Sequence, residues 1–309
     1  MNSDGLSRRG FLAQAGLAGV ALGLGAREAG AVEPFKRTGA PRLELSLAAY
    51  SFRDYFAGGK KAAEKTIDMK QFIDFCAENG CTGAELTSYY FPKDPTDAYL
   101  VDVRRHAFLR GVAISGTAVG NNFALPKGEK RDEQIASVKK WIDKAAVLGA
   151  PHIRVFAGAA APGLADADAR QLCIGALEEV SDYAGTKGIF LGLENHGGIV
   201  AEPEGILEIV KAVKSAWLGI NLDTGNFHTD DPYEALSQIA PYAVNVQYKV
   251  EIKRKGKDNE PSDMPRVVKL LRDANYQGWV ALEYEAKEDP WTAVPAALKA
   301  MKAGGFGAL

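Results

Sequence analysis

Short apolar segments rich in β-branched residues alternate with amphipathic helical segments from residue 43 to the end of the chain. Several of these segments are apolar almost throughout, as strands buried on both faces of a parallel sheet should be. The eight apolar segments are 43–50, 83–88, 112–119, 152–158, 189–194, 218–223, 243–250 and 279–285. Eight strand–helix units over about 265 residues match the length of one (β/α)₈ barrel. We therefore predict an α/β fold, a single (β/α)₈ TIM barrel over 43–309, preceded by a lead-in segment at 32–42.

Glycines follow the helical segments in a regular way. Gly80, Gly149, Gly188 and Gly278 each stand where a helical pattern ends and an apolar segment begins soon afterwards. This is the loop chemistry expected between a helix and the next strand. The alternative of a doubly wound dinucleotide-binding sheet lacks its glycine-rich phosphate loop after the first apolar segment.

The N-terminus carries an export pattern. Arg8 and Arg9 precede an uncharged apolar stretch rich in alanine and glycine, which is too short for a stable membrane span. We predict a twin-arginine (Tat) signal peptide at 1–31, with the export machinery as a partner of the precursor and a periplasmic mature protein beginning near Val32. An uncleaved N-terminal anchor is the alternative.

Composition excludes some classes of function. The formal net charge is −2, so nothing provides the basic stripe that a nucleic-acid partner would need. The three cysteines are odd in number and form no CxxC pair, which favours structural thiols, with a Cys76–Cys81 bridge left open. The sequence does not indicate an oligomeric state.

Polar side chains close four successive apolar segments in the second half of the chain. They are Glu194, Asp223, Gln247 and Glu283. Parallel barrel strands end at one mouth, so these side chains should converge there. Converging carboxylates repel one another unless a cation lies between them, and a hard divalent metal prefers oxygen ligands. The sequence therefore predicts a metal site formed by these four residues; the alternative is that they are helix caps or surface groups.

Three segments carry a resemblance to a known family. They are LENHGG at 193–198, NLDTGN at 221–226 and GWVALEYE at 278–285. Together they resemble the xylose-isomerase-like TIM-barrel superfamily, often described as sugar phosphate isomerase/epimerase. The resemblance implies a divalent metal held by acids on strands five, six and eight and a His on strand seven. In this chain Gln247 stands at the His position, and the resulting all-oxygen set favours Mg²⁺ or Mn²⁺, with Co²⁺ and Zn²⁺ as alternatives.

The resemblance also implies a reaction, in which a metal-dependent sugar isomerase or epimerase removes a proton next to a carbonyl through an enediolate. Glu194 and Glu283 would carry the proton, with His196 and Lys249 as further catalytic candidates. Two alternatives stay open: a 3-keto-glycoside lyase that works by β-elimination on the same metal site, and a non-catalytic sugar-binding barrel.

Further side chains near the strand ends are predicted to bind a small-molecule sugar. They are Tyr50, Arg53, Glu85, Asn122, Arg154, Asn226, His228 and Glu285. Lys249 alternates with Gln247, so both should face the barrel interior. If Lys249 does not act on substrate, the sequence favours a salt bridge to Glu85 or Glu285, and the alternative for His196 is a structural hydrogen bond.

Overall fold

The computed structural model describes residues 32–307, so the predicted signal peptide lies outside the described part of the chain. The strands are β1 (Arg42–Ala48), β2 (Gly83–Thr87), β3 (Ala113–Ala118), β4 (His152–Val155), β5 (Phe190–Glu194), β6 (Leu218–Asp223), β7 (Ala243–Tyr248), β8 (Glu251–Lys253), β9 (Asn259–Pro261) and β10 (Gln277–Leu282). The helices are α1 (Met69–Glu78), α2 (Asp97–Leu109), α3 (Glu129–Leu148), α4 (Asp166–Thr186), α5 (Pro203–Ala212), α6 (Pro232–Ile239), α7 (Met264–Asp273) and α8 (Pro290–Ala303).

Eight of the strands close into a barrel in the order β1-β10-β7-β6-β5-β4-β3-β2, with every pair parallel. Helices α1 to α8 follow the barrel strands in turn. The predicted single (β/α)₈ barrel is therefore confirmed. None of the helices within 32–307 is long and apolar enough to cross a membrane.

The first helix shows how the sequence sets the helical ring. The Asp68 side chain accepts hydrogen bonds from the backbone N–H groups of Lys70 and Gln71 at 2.9 Å, and the Gln71 side chain accepts from Asp68 N at 2.9 Å. This reciprocal cap satisfies N–H groups that have no partner inside the helix. The buried residues of α1 recur at helical spacing; they are Met69, Phe72, Ile73 and Cys76.

Two strand boundaries differ from the apolar segments. Tyr50 lies in a 3₁₀ turn, Ala49–Phe52, and Glu283 lies one residue beyond β10. After β7 the backbone N–H of Lys249 donates to the Thr224 hydroxyl at 2.9 Å, so a side chain replaces the neighbouring strand as partner. The chain then forms an antiparallel β8–β9 hairpin that the sequence pattern did not predict.

The lower barrel interior is filled by a buried histidine. A Cβ atom on Gly116 would lie 2.4 Å from His152 Nδ1, and one on Gly192 would lie 2.7 Å from its Nε2, so the two glycines make room for the ring. Burial lowers the pKa of His152 to about 3, which keeps the ring neutral. Cys76, Cys81 and Cys173 are all free and buried, so the bridge left open by the sequence is not formed.

Candidate functional site

The four predicted strand-end residues lie side by side at one end of the barrel. Glu194 ends β5, Asp223 ends β6, Gln247 lies in β7 and Glu283 follows β10, and these strands are consecutive in the barrel. All four side chains are buried, and Asp223 has no exposed surface. Three acids so close to one another and so far from water require compensating charge.

Lys249 supplies part of that charge. Its Nζ lies 2.8 Å from Glu283 Oε2 and 3.4 Å from Asp223 Oδ2, and it also contacts the Glu285 carboxylate. The lysine is 8% exposed. Gly225 makes its position possible, because a Cβ there would lie 2.7 Å from Lys249 Cγ. Of the two salt-bridge partners considered from sequence, the structure shows Glu285.

Arg154 supplies the second positive charge. Its Nε lies 2.9 Å from Glu194 Oε2, and its Nη1 donates to the carbonyl of Val119 at 2.9 Å. The other oxygen of Glu194 accepts a hydrogen bond from Asn226 Nδ2 at 2.8 Å. We call Arg154, Glu194, Asp223, Lys249 and Glu283 the mouth cluster; its two cations face three acids.

The acids of the mouth cluster differ in proton affinity. Burial raises the pKa of Glu194 to about 7, although the charge of Arg154 opposes the shift. Burial also raises the pKa of Asp223 well above its ordinary value, against the charge of Lys249. For Glu283 burial acts in the same direction, but the charge and hydrogen bond of Lys249 outweigh it, and the pKa lies below its ordinary value. Neighbouring carboxyl groups whose pKa values are pushed apart are suited to separate acid and base roles.

A second polar layer lies directly below the mouth cluster. Gln247 Nε2 and Asn245 Nδ2 donate to the two oxygens of Glu85 at 2.6 and 2.7 Å. Asn221 donates to Gln247 Oε1 at 2.6 Å and accepts from Asn245 at 2.8 Å. We call Glu85, Asn221, Asn245 and Gln247 the floor network. Burial and then the charge of Glu283 raise the pKa of Glu85 to about 7, although both amides favour the carboxylate.

Sequence reasoning missed Asn221 and Asn245 as members of the site. The signal was available, because each stands two residues before a strand-end residue and therefore faces the same side of its strand. It also missed Asn195, whose side chain accepts from Asp223 N and donates to Asp223 O, both at 2.9 Å. That pair of bonds fixes the end of β6 against the end of β5.

Several predicted sugar-binding residues border the cluster. Asn226, His228 and Glu285 line a cleft of about 180 Å³ together with Lys249 and the β8–β9 hairpin. Arg53 and Glu285 line a neighbouring cleft of about 280 Å³. The clefts therefore lie on two sides of Glu285.

Other predicted residues are tied to the surrounding loops. The guanidinium of Arg53 lies over the ring of half-buried Tyr50 at 5.2 Å. The exposed His196 ring packs on Phe156, with the ring centroids 4.6 Å apart. Asn122 Oδ1 accepts from Ala124 N at 2.9 Å, so that side chain is engaged within its own loop.

The family of the chain follows from a sequence comparison. A family model described as xylose isomerase-like TIM barrel matches residues 73–303. The chain belongs to this family. An uncharacterized protein of Methanocaldococcus jannaschii is 29% identical over 119 residues, which is 35% of this chain and 41% of that protein. The chain therefore matches less than half of the length of this relative.

Solved structures share the fold at low sequence identity. D-psicose 3-epimerase with D-tagatose, from Clostridium cellulolyticum H10, superposes with a TM-score of 0.66 at 16% identity, covering 83% of this chain and 89% of that one. The 3-keto-D-glucoside 4-epimerase YcjR of E. coli gives 0.64 at 15% identity, covering 85% and 100%. The IolI protein with a bound zinc atom gives 0.67 at 19%, covering 85% and 96%.

The mouth residues suit a metal ion in their chemistry. Asp223 Oδ2 is buried and has no hydrogen-bond partner within residues 32–307. Gln247 Oε1 accepts one hydrogen bond, and a carbonyl oxygen has a second lone pair. The salt bridge from Arg154 and the hydrogen bond from Asn226 to Glu194 are contacts of the kind that orient metal ligands. Across the described chain, however, no three acid, imidazole or thiol side chains are arranged so that they could hold an ion as they stand, and the Lys249 ammonium lies between Asp223 and Glu283.

Proposed function

We propose that this protein is a divalent-metal-dependent sugar isomerase or epimerase that removes a proton next to a substrate carbonyl. The observation that carries the proposal is the mouth cluster, in which buried acids differ in proton affinity and Lys249, which contacts two of them, lines an open cleft. The proposed ligands are Glu194, Asp223, Gln247 and Glu283, and their oxygen atoms favour Mg²⁺ or Mn²⁺ over Zn²⁺. When bound, the ion would polarise the substrate carbonyl and the neighbouring hydroxyl.

The different proton affinities of Glu194 and Glu283 suit them to different roles in proton transfer. Against the effect of burial, a neighbouring cation, which is the Lys249 ammonium in this structure and would be the ion once bound, lowers the pKa of Glu283 and keeps that carboxylate ionised at neutral pH, so it is the proposed base. The pKa of Glu194, about 7, leaves it protonated part of the time, so it can donate a proton as well as accept one. Arg154 and Asn226 hold the Glu194 carboxyl in place for that transfer.

The proposed step is balanced within these two residues. Glu283 takes the proton from the carbon beside the carbonyl, and the electron pair of the broken C–H bond moves onto the carbonyl oxygen to give an enediolate. Glu194 returns a proton to the opposite face of the same carbon, which re-forms the carbonyl and gives the epimer. Delivery to the former carbonyl carbon gives the isomer, with the proton of the neighbouring hydroxyl moving to the former carbonyl oxygen. Solvent then restores the starting protonation of both glutamates.

The comparisons support this proposal at the level of substrate class. Two of the structurally similar proteins are sugar epimerases by name, and one of those structures contains D-tagatose. A third holds a zinc atom. We propose that a small-molecule sugar is the substrate and that Tyr50, Arg53, Asn226, His228 and Glu285 contact it.

A second candidate is a 3-keto-glycoside lyase. The two clefts that meet at Glu285 offer separate room for a sugar and its substituent. The chemistry starts with the same proton transfer, but the electron pair of the enediolate then expels the substituent at C1. A non-catalytic sugar-binding barrel is the alternative of another class, and metal-dependent turnover would separate it from both enzymes.

One experiment tests the proposed reaction. The mature protein is incubated in D₂O with Mg²⁺ or Mn²⁺ and a panel of free ketoses and 3-keto-glycosides. We expect deuterium to enter the substrate beside its carbonyl and Glu283→Gln to abolish that exchange; Glu234→Gln, which removes an exposed acid, should not affect it. Turnover without exchange, and without slowing when that hydrogen is replaced by deuterium, would contradict the proposed proton transfer.

We also propose that the precursor is exported by the twin-arginine route. Arg8 and Arg9 and the short apolar run after them support this proposal. Replacing both arginines by lysine should retain full-length precursor inside the cell, as seen by immunoblotting of cell fractions. Normal export of the double variant would refute it.

A further inference from the structure

The geometry points to a further role for Lys249: its ammonium occupies the cation position of the metal centre, and a divalent ion binds by displacing it. This inference rests on the proposed metal site, because it concerns how that site is filled. It assigns to Lys249 control of metal loading, a role separate from the proton transfer considered for it from sequence.

The Lys249 ammonium lies where a metal ion would bind. Lys249 Nζ lies 2.8 Å from Glu283 Oε2 and 3.4 Å from Asp223 Oδ2, so it bridges two of the proposed ligands. Both acids are buried, and without a cation they would repel each other strongly. A divalent ion placed between the same oxygens would meet the ammonium at close range, so the two cations exclude each other.

Lys249 has an alternative carboxylate partner outside the metal position. The Glu285 carboxylate already contacts the ammonium, and its side chain is 39% exposed at the border of the two clefts. The lysine side chain is flexible, and it runs past Gly225, which has no side chain to confine it. Withdrawal toward Glu285 would release Asp223 and Glu283 and bring the ammonium to the wall of the substrate cleft.

Arg154, the other cation of the mouth cluster, is held in place by its neighbours. Arg154 donates to the Val119 carbonyl at 2.9 Å, and its guanidinium lies 3.9 Å from the centre of the Phe156 ring. It contacts Glu194 through the oxygen that Asn226 does not use. Since Arg154 is held by backbone and ring contacts, Lys249 is the cation that can exchange.

The test is a Mn²⁺ titration of the metal-stripped mature protein, followed by the electron paramagnetic resonance signal of free Mn²⁺. We expect Lys249→Met to bind Mn²⁺ at least about tenfold more tightly than the wild type, because the competing charge is gone. The matched control is Lys253→Met, which removes another lysine that lines the same cleft without touching the acids. It should change the affinity by less than about threefold, because its charge acts only through solvent.

Equal or weaker Mn²⁺ binding by Lys249→Met than by wild type would overturn the inference, and so would an equal gain in Lys253→Met. If Lys249→Met does not fold without metal, its refolding by Mn²⁺ but not by NaCl supports the inference, and failure to refold with Mn²⁺ overturns it. Absence of Mn²⁺ binding in the wild type and in every variant would remove the proposed metal site itself. Binding in the wild type without a gain in Lys249→Met would remove only the role of Lys249 in metal loading.

Discussion

The floor network and the mouth cluster are adjacent polar layers of one barrel, and they satisfy their buried groups in different ways. In the floor network, neutral amides donate to one carboxylate and to each other. In the mouth cluster, two cations compensate three acids. Amide hydrogen bonds depend on fixed positions, whereas a salt-bridged cation can be exchanged for another cation. This difference suits the floor network to holding the site in shape and the mouth cluster to the proposed chemistry.

Gln247 belongs to both layers. Its side chain is fixed from below by Asn221 and Glu85, and the proposed metal would bind to the same amide oxygen. A neutral imidazole has one donor and one lone pair, so at this position it could not donate to Glu85, accept from Asn221 and bind a metal at the same time. The glutamine is therefore the residue through which the floor network would orient the metal site.

Loss of an acid from the mouth should have the largest effect. Asp223→Ala removes the buried oxygen that has no hydrogen-bond partner within the described residues and leaves Lys249 with one acid fewer. We expect loss of stoichiometric metal by elemental analysis and a fall in turnover of about 100-fold or more. Unchanged metal content in this variant would show that the mouth cluster is not the metal site.

The two layers should also differ in how they respond to pH and metal. The pKa values of Glu85 and Glu194 rise from 4.5 to about 7 on folding, so their contribution to stability is present below pH 4.5 and is lost as the pH rises through 7. The loss is about 3 kcal/mol for each group at most. The lowered pKa of His152 acts in the opposite direction, because protonation of the unfolded chain at pH 5 favours unfolding. The two glutamates together outweigh this one histidine, so in chelator urea unfolding should give a lower free energy of unfolding at pH 8 than at pH 5.

Added Mg²⁺ should restore only that share of the lost free energy of unfolding which comes from Glu194 in the mouth cluster. The loss of free energy of unfolding that Glu85 causes at pH 8 should persist in Mg²⁺. It should disappear in Glu85→Gln, because the glutamine cannot ionise. A free energy of unfolding that is higher at pH 8 than at pH 5 in chelator would contradict the assigned pKa shifts.

A change confined to the floor should affect stability more than metal binding. Asn245→Leu removes the donor to Glu85 Oε2 and to Asn221 Oδ1. Leaving buried acceptors without donors costs about 1–3 kcal/mol in the free energy of unfolding. The Mn²⁺ affinity of the folded protein should change by less than about threefold, because no proposed ligand is removed and Gln247 keeps its own hydrogen bonds to Asn221 and Glu85. A larger change would mean that the two layers are not separable.

The smallest effect is expected where a glycine makes room for the lysine. In Gly225→Ala the added Cβ would lie 2.7 Å from Lys249 Cγ and 3.1 Å from the Glu251 carbonyl oxygen. The clash should cost about 1–2 kcal/mol in thermal or urea unfolding. The substitution should also raise the Mn²⁺ affinity a few-fold, because it disturbs the packing that holds the Lys249 side chain at the metal position. Lower Mn²⁺ affinity would indicate that Lys249 supports the site instead of competing for it.

The sequence could predict the barrel and the meeting of its acids, because both follow from periodicity. Apolar segments followed by Glu194, Asp223 and Glu283 identify strand ends, and parallel strand ends in a barrel share one mouth. The β8–β9 hairpin was missed because its strands are only three residues long, which is too short for a recognisable alternation of apolar and polar residues. The exchangeable position of Lys249 could not be predicted either, since it depends on Gly225 and on acids that follow different strands.

A crystal structure of the Mn²⁺-soaked mature protein, with anomalous data collected at the manganese edge, would show whether the mouth of the barrel binds the metal. We predict one strong anomalous peak surrounded by oxygen atoms of Glu194, Asp223, Gln247 and Glu283. We also predict that the Lys249 ammonium has left Asp223 and Glu283 for Glu285. No anomalous peak at the barrel mouth, with Lys249 still bridging Asp223 and Glu283, would contradict both the metal site and the exchange of cations proposed for it.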